Sequence, residues 1–169
     1  MASFDIAFDW TMQWEDPHRT YKEAPDAAPA GFIGKCFSIA GINSGAFPLD
    51  YRYIVSLPTE ERAVPVKAFY RSHFWNQWLE QLQEDELAKR VYDMGVNAGL
   101  GTAVKLLQNC LAIHADGVLG PLTVKEANEH GPGLVDTYKA AREQHYREIV
   151  EKHPSNAQYL DGWLARARA

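Results

Sequence analysis

The 169-residue sequence lacks an apolar run long enough to cross a membrane as a helix, which takes about 18 residues or more. The stretch Met1 to Trp10 has no basic segment leading into an apolar one, so no secretory signal is read there. Cysteine is scarce. Cys36 and Cys110 stand far apart, in no metal-ligand spacing, and read as two free thiols ahead of the alternative, one long-range disulfide. Positive charge is not in excess: 17 Lys and Arg against 22 Asp and Glu leave a net charge of −5. A nucleic-acid binder would need a cationic patch, and the longest basic cluster runs only from Arg142 to Arg147, so no nucleic-acid partner is expected. The six histidines show no metal spacing and no nucleophile partner, so neither a metal nor another cofactor is expected. Repeats and low-complexity tracts are also missing.

What remains is a globular composition. Hydrophobic residues make up 46% and charged residues 23%, with enough Trp, Tyr and Phe (12%) for a solid core and a sugar-binding cleft. Residues 3–15 read as a helix with Ser3 as N-cap; Phe4, Phe8 and Met12 form its apolar stripe, which ends on Glu15, and Pro17 stops it. Residues 17–48 hold four prolines and four glycines without a helical period. They read as a small irregular or β-containing lobe, with a short hairpin expected between Phe32-Ile33 and Cys36 to Ile39. From residue 58 the pattern is helical. A helix from Thr59 to about Ser72 is expected to kink or split at Pro65, and Asn76 to Leu82 suits a short helix. Glu86 to Leu111 reads as two helices with a glycine-rich turn near 98–101. Pro121 opens another helix, which Gly131-Pro132-Gly133 ends, and Leu134 to Lys152 and Gln158 to Ala167 close the series.

Four places invite a chemical reading. Glu15 lies at the negative end of a helix dipole, beside Trp10 and Trp14, where the protonated acid is favoured; that suits the general acid of a glycoside hydrolase, although the spacing alone more often means a solvated glutamate at a helix end. In Asp93 to Gly99 the glycines weaken a helix by about 1 kcal/mol each relative to Ala. Close backbone approach would offset that, with Asn97 either offering its amide to a ligand or capping the next helix. Asp116 to Thr123 reads as a structural turn leading into a helix, since the further oxygen ligands of a calcium loop are missing. Phe69-Tyr70, Phe74-Trp75 and Trp78 form an aromatic stripe that suits a core, with Tyr70 and Trp75 the exceptions most suited to contact a sugar.

Taken in order, six segments resemble the N-acetylmuramidases of glycoside hydrolase family 108. These are the aromatic first helix ending in Trp14-Glu15; Ala40-Gly41-Ile42-Asn43-Ser44 with Pro48; Leu57 to Ala63 followed by Tyr70 and Phe74-Trp75; Tyr92-Asp93 to Gly99 with Ala103 and Leu107-Gln108; Asp116 to Thr123; and Gly162-Trp163-Leu164-Ala165-Arg166. The resemblance implies a mainly α, lysozyme-like fold with a small irregular or β lobe after the first helix. Residues 1–100 would form the catalytic region, with the lobe at about 17–48, and residues 101–169 a helical peptidoglycan-binding region packed on it. It also implies Glu15 as the catalytic acid that cleaves the β-1,4 bond between N-acetylmuramic acid and N-acetylglucosamine. The sequence departs from the family pattern in Glu15-Asp16-Pro17, which replaces Glu-Gly-Gly, and in an unrecognisable Asp-Pro-Gly-Gly-x-Thr stretch. For the second carboxylate Asp26 comes first, then Asp16 or Glu23, with Ser38 in place of the Thr. Ser38, Asn43, Tyr70, Trp75 and Asn97 are the expected substrate contacts, with Asn97 facing Glu15. Peptidoglycan glycan strands are the expected partner of a monomer made in the cytoplasm. It would reach the periplasm or wall through a holin or secretion machinery, and meet an immunity protein if it is a delivered effector.

Overall fold

The computed structural model describes residues 1–29 and 31–169. Its class is the mainly α, lysozyme-like one with a small antiparallel sheet after the first helix. Two compact units divide the chain, Phe8–Trp75 and a discontinuous one made of Met1–Ala7 with Asn76–Ala169. The division falls at 7/8 and 75/76, whereas the family resemblance suggests a boundary at 100/101.

In the unit Phe8–Trp75, α1 (Phe4–Glu15) buries Phe8 and Met12 as its stripe requires, and ends at Glu15. Three short strands follow: β1 (Glu23–Asp26), β2 (Cys36–Ile39) and β3 (Ile42–Asn43), in that order and antiparallel. This corrects the expected hairpin. Cys36–Ile39 pairs with β1 and β3 rather than with Phe32-Ile33, which are 43% and 98% exposed. The physical reason is the two-residue turn Ala40-Gly41. Both residues take positive φ, 46° and 78°, the conformation that matches strand twist in a tight hairpin. Pairing sets Glu23, Ile39 and Ile42 on one face of the sheet and Asp26, Ser38 and Asn43 on the other. The two isoleucines are fully buried, and α2 (Pro48–Val55) packs against β2 and β3.

A 3-10 turn at Thr59–Glu61 leads into α3 (Ala63–Phe74). The segment expected as one helix from Thr59 is thus split at Arg62 rather than kinked; Pro65 falls in the first turn of α3, where backbone N–H groups have no helical acceptor. Arg62 ties the unit together: its guanidinium donates to the carbonyls of Leu57, Val55 and Tyr21. Phe69 and Phe74 meet Phe47, Tyr70 and His73 in edge-to-face and stacked pairs.

In the other unit the N-terminus is tied down by Ala2 N–H to the Glu80 carbonyl and Ser3 N–H to Asp85 Oδ1. The helices are α4 (Gln77–Glu80, capped by Asn76), α5 (Asp85–Ala98), α6 (Leu100–Cys110), α7 (Pro121–Glu129), α8 (Leu134–Lys152) and α9 (Leu160–Arg168), with a 3-10 turn at Pro154–Tyr159. Residues Arg90 to Gly95 of α5 are all buried, more than one face of a helix can supply, so this stretch of α5 is covered all round. Gly99, at φ 89°, separates α5 from α6. A methyl group at Gly95 would lie 2.5 Å from Leu100 Cδ2, so the close approach that these glycines permit is to the chain's own next helix. At the centre Asp93 is fully buried and accepts from Arg142 Nη2 at 2.6 Å and Arg166 Nη2 at 2.7 Å. Among the described residues, Arg142 Nε and Nη1 are buried without a hydrogen-bond partner.

Candidate functional site

The site is built from the end of α1 outward, within the unit Phe8–Trp75. Glu15 is the last helical residue and is half-buried. Its carboxylate rests against Gly41. A methyl group there would fall on Glu15 Oε2, 3.1 Å from Glu15 Cδ and 2.8 Å from the Tyr70 hydroxyl. Only glycine fits this position: its φ of 78° is strained for any side chain, and there is no room for one. The turn is held from below, where Tyr70 Oη donates to the Ala40 carbonyl at 2.7 Å. That bond fixes the alanine, whose own φ is in the left-handed region, and so fixes the surface on which Glu15 rests. Phe8 contacts the Tyr70 ring, and Arg19 and Lys67 lie over the Phe8 face at 5.4 and 5.6 Å.

The three acidic candidates for a second carboxylate have different surroundings. Asp16 is a turn clamp, accepting from the Tyr21 N–H at 2.7 Å and the Thr20 hydroxyl at 3.3 Å. Glu23 lies on the α2 side of the sheet and accepts from Tyr51 Oη at 2.5 Å. Burial, reinforced by that bond to Glu23, pushes the Tyr51 phenol up to about 12, so the hydroxyl remains a donor throughout the neutral range. Asp26 shares the opposite face with Ser38 and Asn43 and is exposed, with Asn43 Nδ2 donating to it at 2.8 Å. A cavity of about 340 Å³ opens beside Asp26, lined by Pro25, Gly34, Lys35 and Phe37.

The sheet therefore brings Asp26, Ser38 and Asn43 together. Tyr70 and Trp75 are 1% and 7% exposed. Neither offers a ring face to solvent; Phe69, Tyr70 and Trp75 are core, Phe74 and Trp78 are half-buried, and Tyr70 acts through the Ala40 carbonyl. Asn97 belongs to the other unit. Its Nδ2 donates to the Tyr146 hydroxyl at 2.6 Å and it does not cap α6, whose N-cap is Gly99. Asp116 is likewise structural. Gln108 Nε2 donates to Asp116 Oδ1 and Thr123 Oγ1, and the Gln108 carbonyl accepts from the Gly117 N–H. Both cysteines are free thiols. Among the described residues no group of three His, Cys, Asp or Glu is placed to hold a metal ion.

Sequence reasoning missed the supports. Gly41 was visible inside a motif, but its contact with Glu15 was not. Tyr51 and Arg62 carried no signal, because their partners lie across turns.

Residues 102–168 match the family model of a predicted peptidoglycan domain. The matched segment takes in α7, α8, α9 and nearly all of α6, including the Gln108–Asp116 turn and both arginines that face Asp93. The solved structure of SagA from Brucella abortus is similar, with a TM-score of 0.59 and 19% identity over 94% of this chain and 90% of that one. That likeness is one of fold. No curated protein matches the chain.

Proposed function

We propose that the chain is a peptidoglycan hydrolase, an N-acetylmuramidase cleaving the β-1,4 bond between N-acetylmuramic acid and N-acetylglucosamine. The observation that carries this reading is the seat of Glu15: a carboxylate at a helix end, held against a glycine turn that Tyr70 fixes, in a chain whose residues 102–168 match a predicted peptidoglycan domain. The resemblance to glycoside hydrolase family 108 supports it. Glu15 donates its proton to the leaving glycosidic oxygen as the bond to the anomeric carbon breaks. Asp26 is the second carboxylate: the family resemblance puts it first, and it is exposed beside Ser38 on the face of the sheet opposite Glu23, which Tyr51 engages. It stabilises the oxocarbenium-like centre or activates the attacking water, with Ser38 beside it. Residues 102–168 hold the wall polymer. The enzyme acts in the periplasm or on the cell wall after release by a holin or a secretion machinery.

The test is loss of turbidity and release of reducing ends from purified sacculi. Glu15→Gln keeps the size of the side chain and removes the transferable proton, and is expected to cut the rate about 100-fold or more. A near wild-type rate would refute the assignment. A second reading, a peptidoglycan-binding module without catalysis, is favoured by Glu15-Asp16-Pro17, where the family pattern has Glu-Gly-Gly. Pull-down on insoluble peptidoglycan with no new reducing ends would establish it.

A further inference from the structure

An asparagine side chain carries two N–H donors and a carbonyl that accepts two hydrogen bonds. Asn43 uses all four. Nδ2 donates to Asp26 Oδ2 at 2.8 Å and to the Ala27 carbonyl at 2.9 Å. Oδ1 accepts from the backbone N–H of Gly45 at 2.9 Å and of Ala46 at 3.2 Å. The reverse orientation of the amide would set its NH2 against two N–H groups and its oxygen against a carboxylate and a carbonyl, so the network itself fixes the assignment. An amide spent in this way has nothing left for a sugar hydroxyl.

What it does instead follows from where it stands. Asp26 closes β1 and opens the long connection to β2. It is exposed, and the Ala27 N–H and Asn43 Nδ2 donate to it. Asn43 lies in β3, two residues after Gly41. The same hairpin that seats Glu15 at one point therefore grips Asp26 at the next. Two residues of strand span about 6–7 Å, so one short, hydrogen-bonded segment touches both carboxylates.

We propose that Asn43 is a positioning residue, which orients the Asp26 carboxylate and sets its place relative to Glu15 through the Gly41–Asn43 hairpin. This rests on the reading of Asp26 as the second carboxylate. The informative variant is Asn43→Asp. It keeps an acceptor for Gly45 and Ala46, and so the turn, but replaces the donor facing Asp26 with a carboxylate oxygen. Asn43→Ala removes both functions and serves as the second variant.

Rates on sacculi are measured against substrate concentration for these two variants, Glu15→Gln, Asp26→Asn and the Asp26→Asn/Asn43→Asp double variant, together with thermal midpoints. Asn43→Asp is expected to lower kcat at least 10-fold with KM within twofold and a near wild-type midpoint. In the Asp26→Asn background the same change is expected to alter the residual rate by less than twofold. A raised KM with unchanged kcat would show that Asn43 contacts substrate, and overturn the proposal. So would equal losses in the two backgrounds. If Glu15→Gln and Asp26→Asn are slow while Asn43→Asp is not, this inference alone falls. If Asp26→Asn itself runs at the wild-type rate, the reading of Asp26 falls and takes the inference with it.

Discussion

Gly41→Ala separates geometry from stability at the site. Gly41 has φ 78°, and a methyl group there collides with Glu15 Oε2 and lies 2.8 Å from the Tyr70 hydroxyl. Placing an L side chain in the left-handed region costs about 1–2 kcal/mol. For a chain of this size that lowers the thermal midpoint by roughly 2–8 °C. The collision adds a second effect. To restore an ordinary contact the carboxylate has to retreat by about 1 Å, and a misplacement of that size costs on the order of 100-fold in rate. Gly131 supplies the control. Its φ is 79°, and a methyl group there meets nothing within 4 Å, so Gly131→Ala carries the same backbone strain without the collision. Release of reducing ends from sacculi is measured alongside thermal unfolding. The expected pattern is a similar loss of stability in both variants and a loss of activity, on the order of 100-fold, only in Gly41→Ala. If the two keep the same activity, the seat of Glu15 does not matter to the reaction, and the reasoning from geometry to chemistry is refuted.

Two further predictions concern buried groups. Asp93→Asn leaves Arg142 and Arg166 buried against a neutral amide, and breaking such a pair costs about 3–5 kcal/mol. The midpoint is expected to fall by roughly 6–20 °C in a calorimetric scan, and a fall under 2 °C would show that the pair is not a stability element. Tyr51 ionises at about 12 in the folded protein against an ordinary value of 10.0, so between these values the folded state holds a proton that the unfolded state has lost. Stability should therefore decline as pH rises from 10 to 12, and Tyr51→Phe should flatten that decline in urea titrations; identical slopes would contradict it.

Much of the fold was legible because it depends on local rules. The stripe Phe4, Phe8 and Met12 ending at Glu15, the helix start at Pro121 and the break at Gly99 all follow from periodicity and backbone preference. The sheet was not legible. Its pairing turns on Ala40, an alanine at positive φ that local preference disfavours and that the distant Tyr70 hydroxyl stabilises. Helix α2 was missed because Leu49 and Tyr53 stay exposed and blur the apolar face. At the candidate site, the place of Glu15 at a helix end was legible from the stripe and Pro17, while its role came from the family resemblance. Asp26 entered through the family resemblance, and the four bonds of Asn43 depend on turns that bring Asp26, Ala27, Gly45 and Ala46 to one amide. Tyr70 and Trp75 were expected to face a sugar because an aromatic stripe reads alike whether it is packed or open.

The ion cluster of the second unit also bears on where the polypeptide can be cut. The segment that matches the peptidoglycan family begins at residue 102, yet the anion between its two interior arginines is Asp93, in the preceding helix. A fragment starting at 102 would carry Arg142 and Arg166 without their counter-charge and would also lose the α5 surface against which α6 and α8 pack. Sequence kinship and self-sufficiency thus have different borders here. A fragment carrying the matched segment and meant for grafting onto another protein has to begin upstream of α5, near Asn76. Even then the Met1–Ala7 stretch that pairs with Glu80 and Asp85 must be supplied from the far end of the chain, which favours a circularly permuted design over a simple truncation.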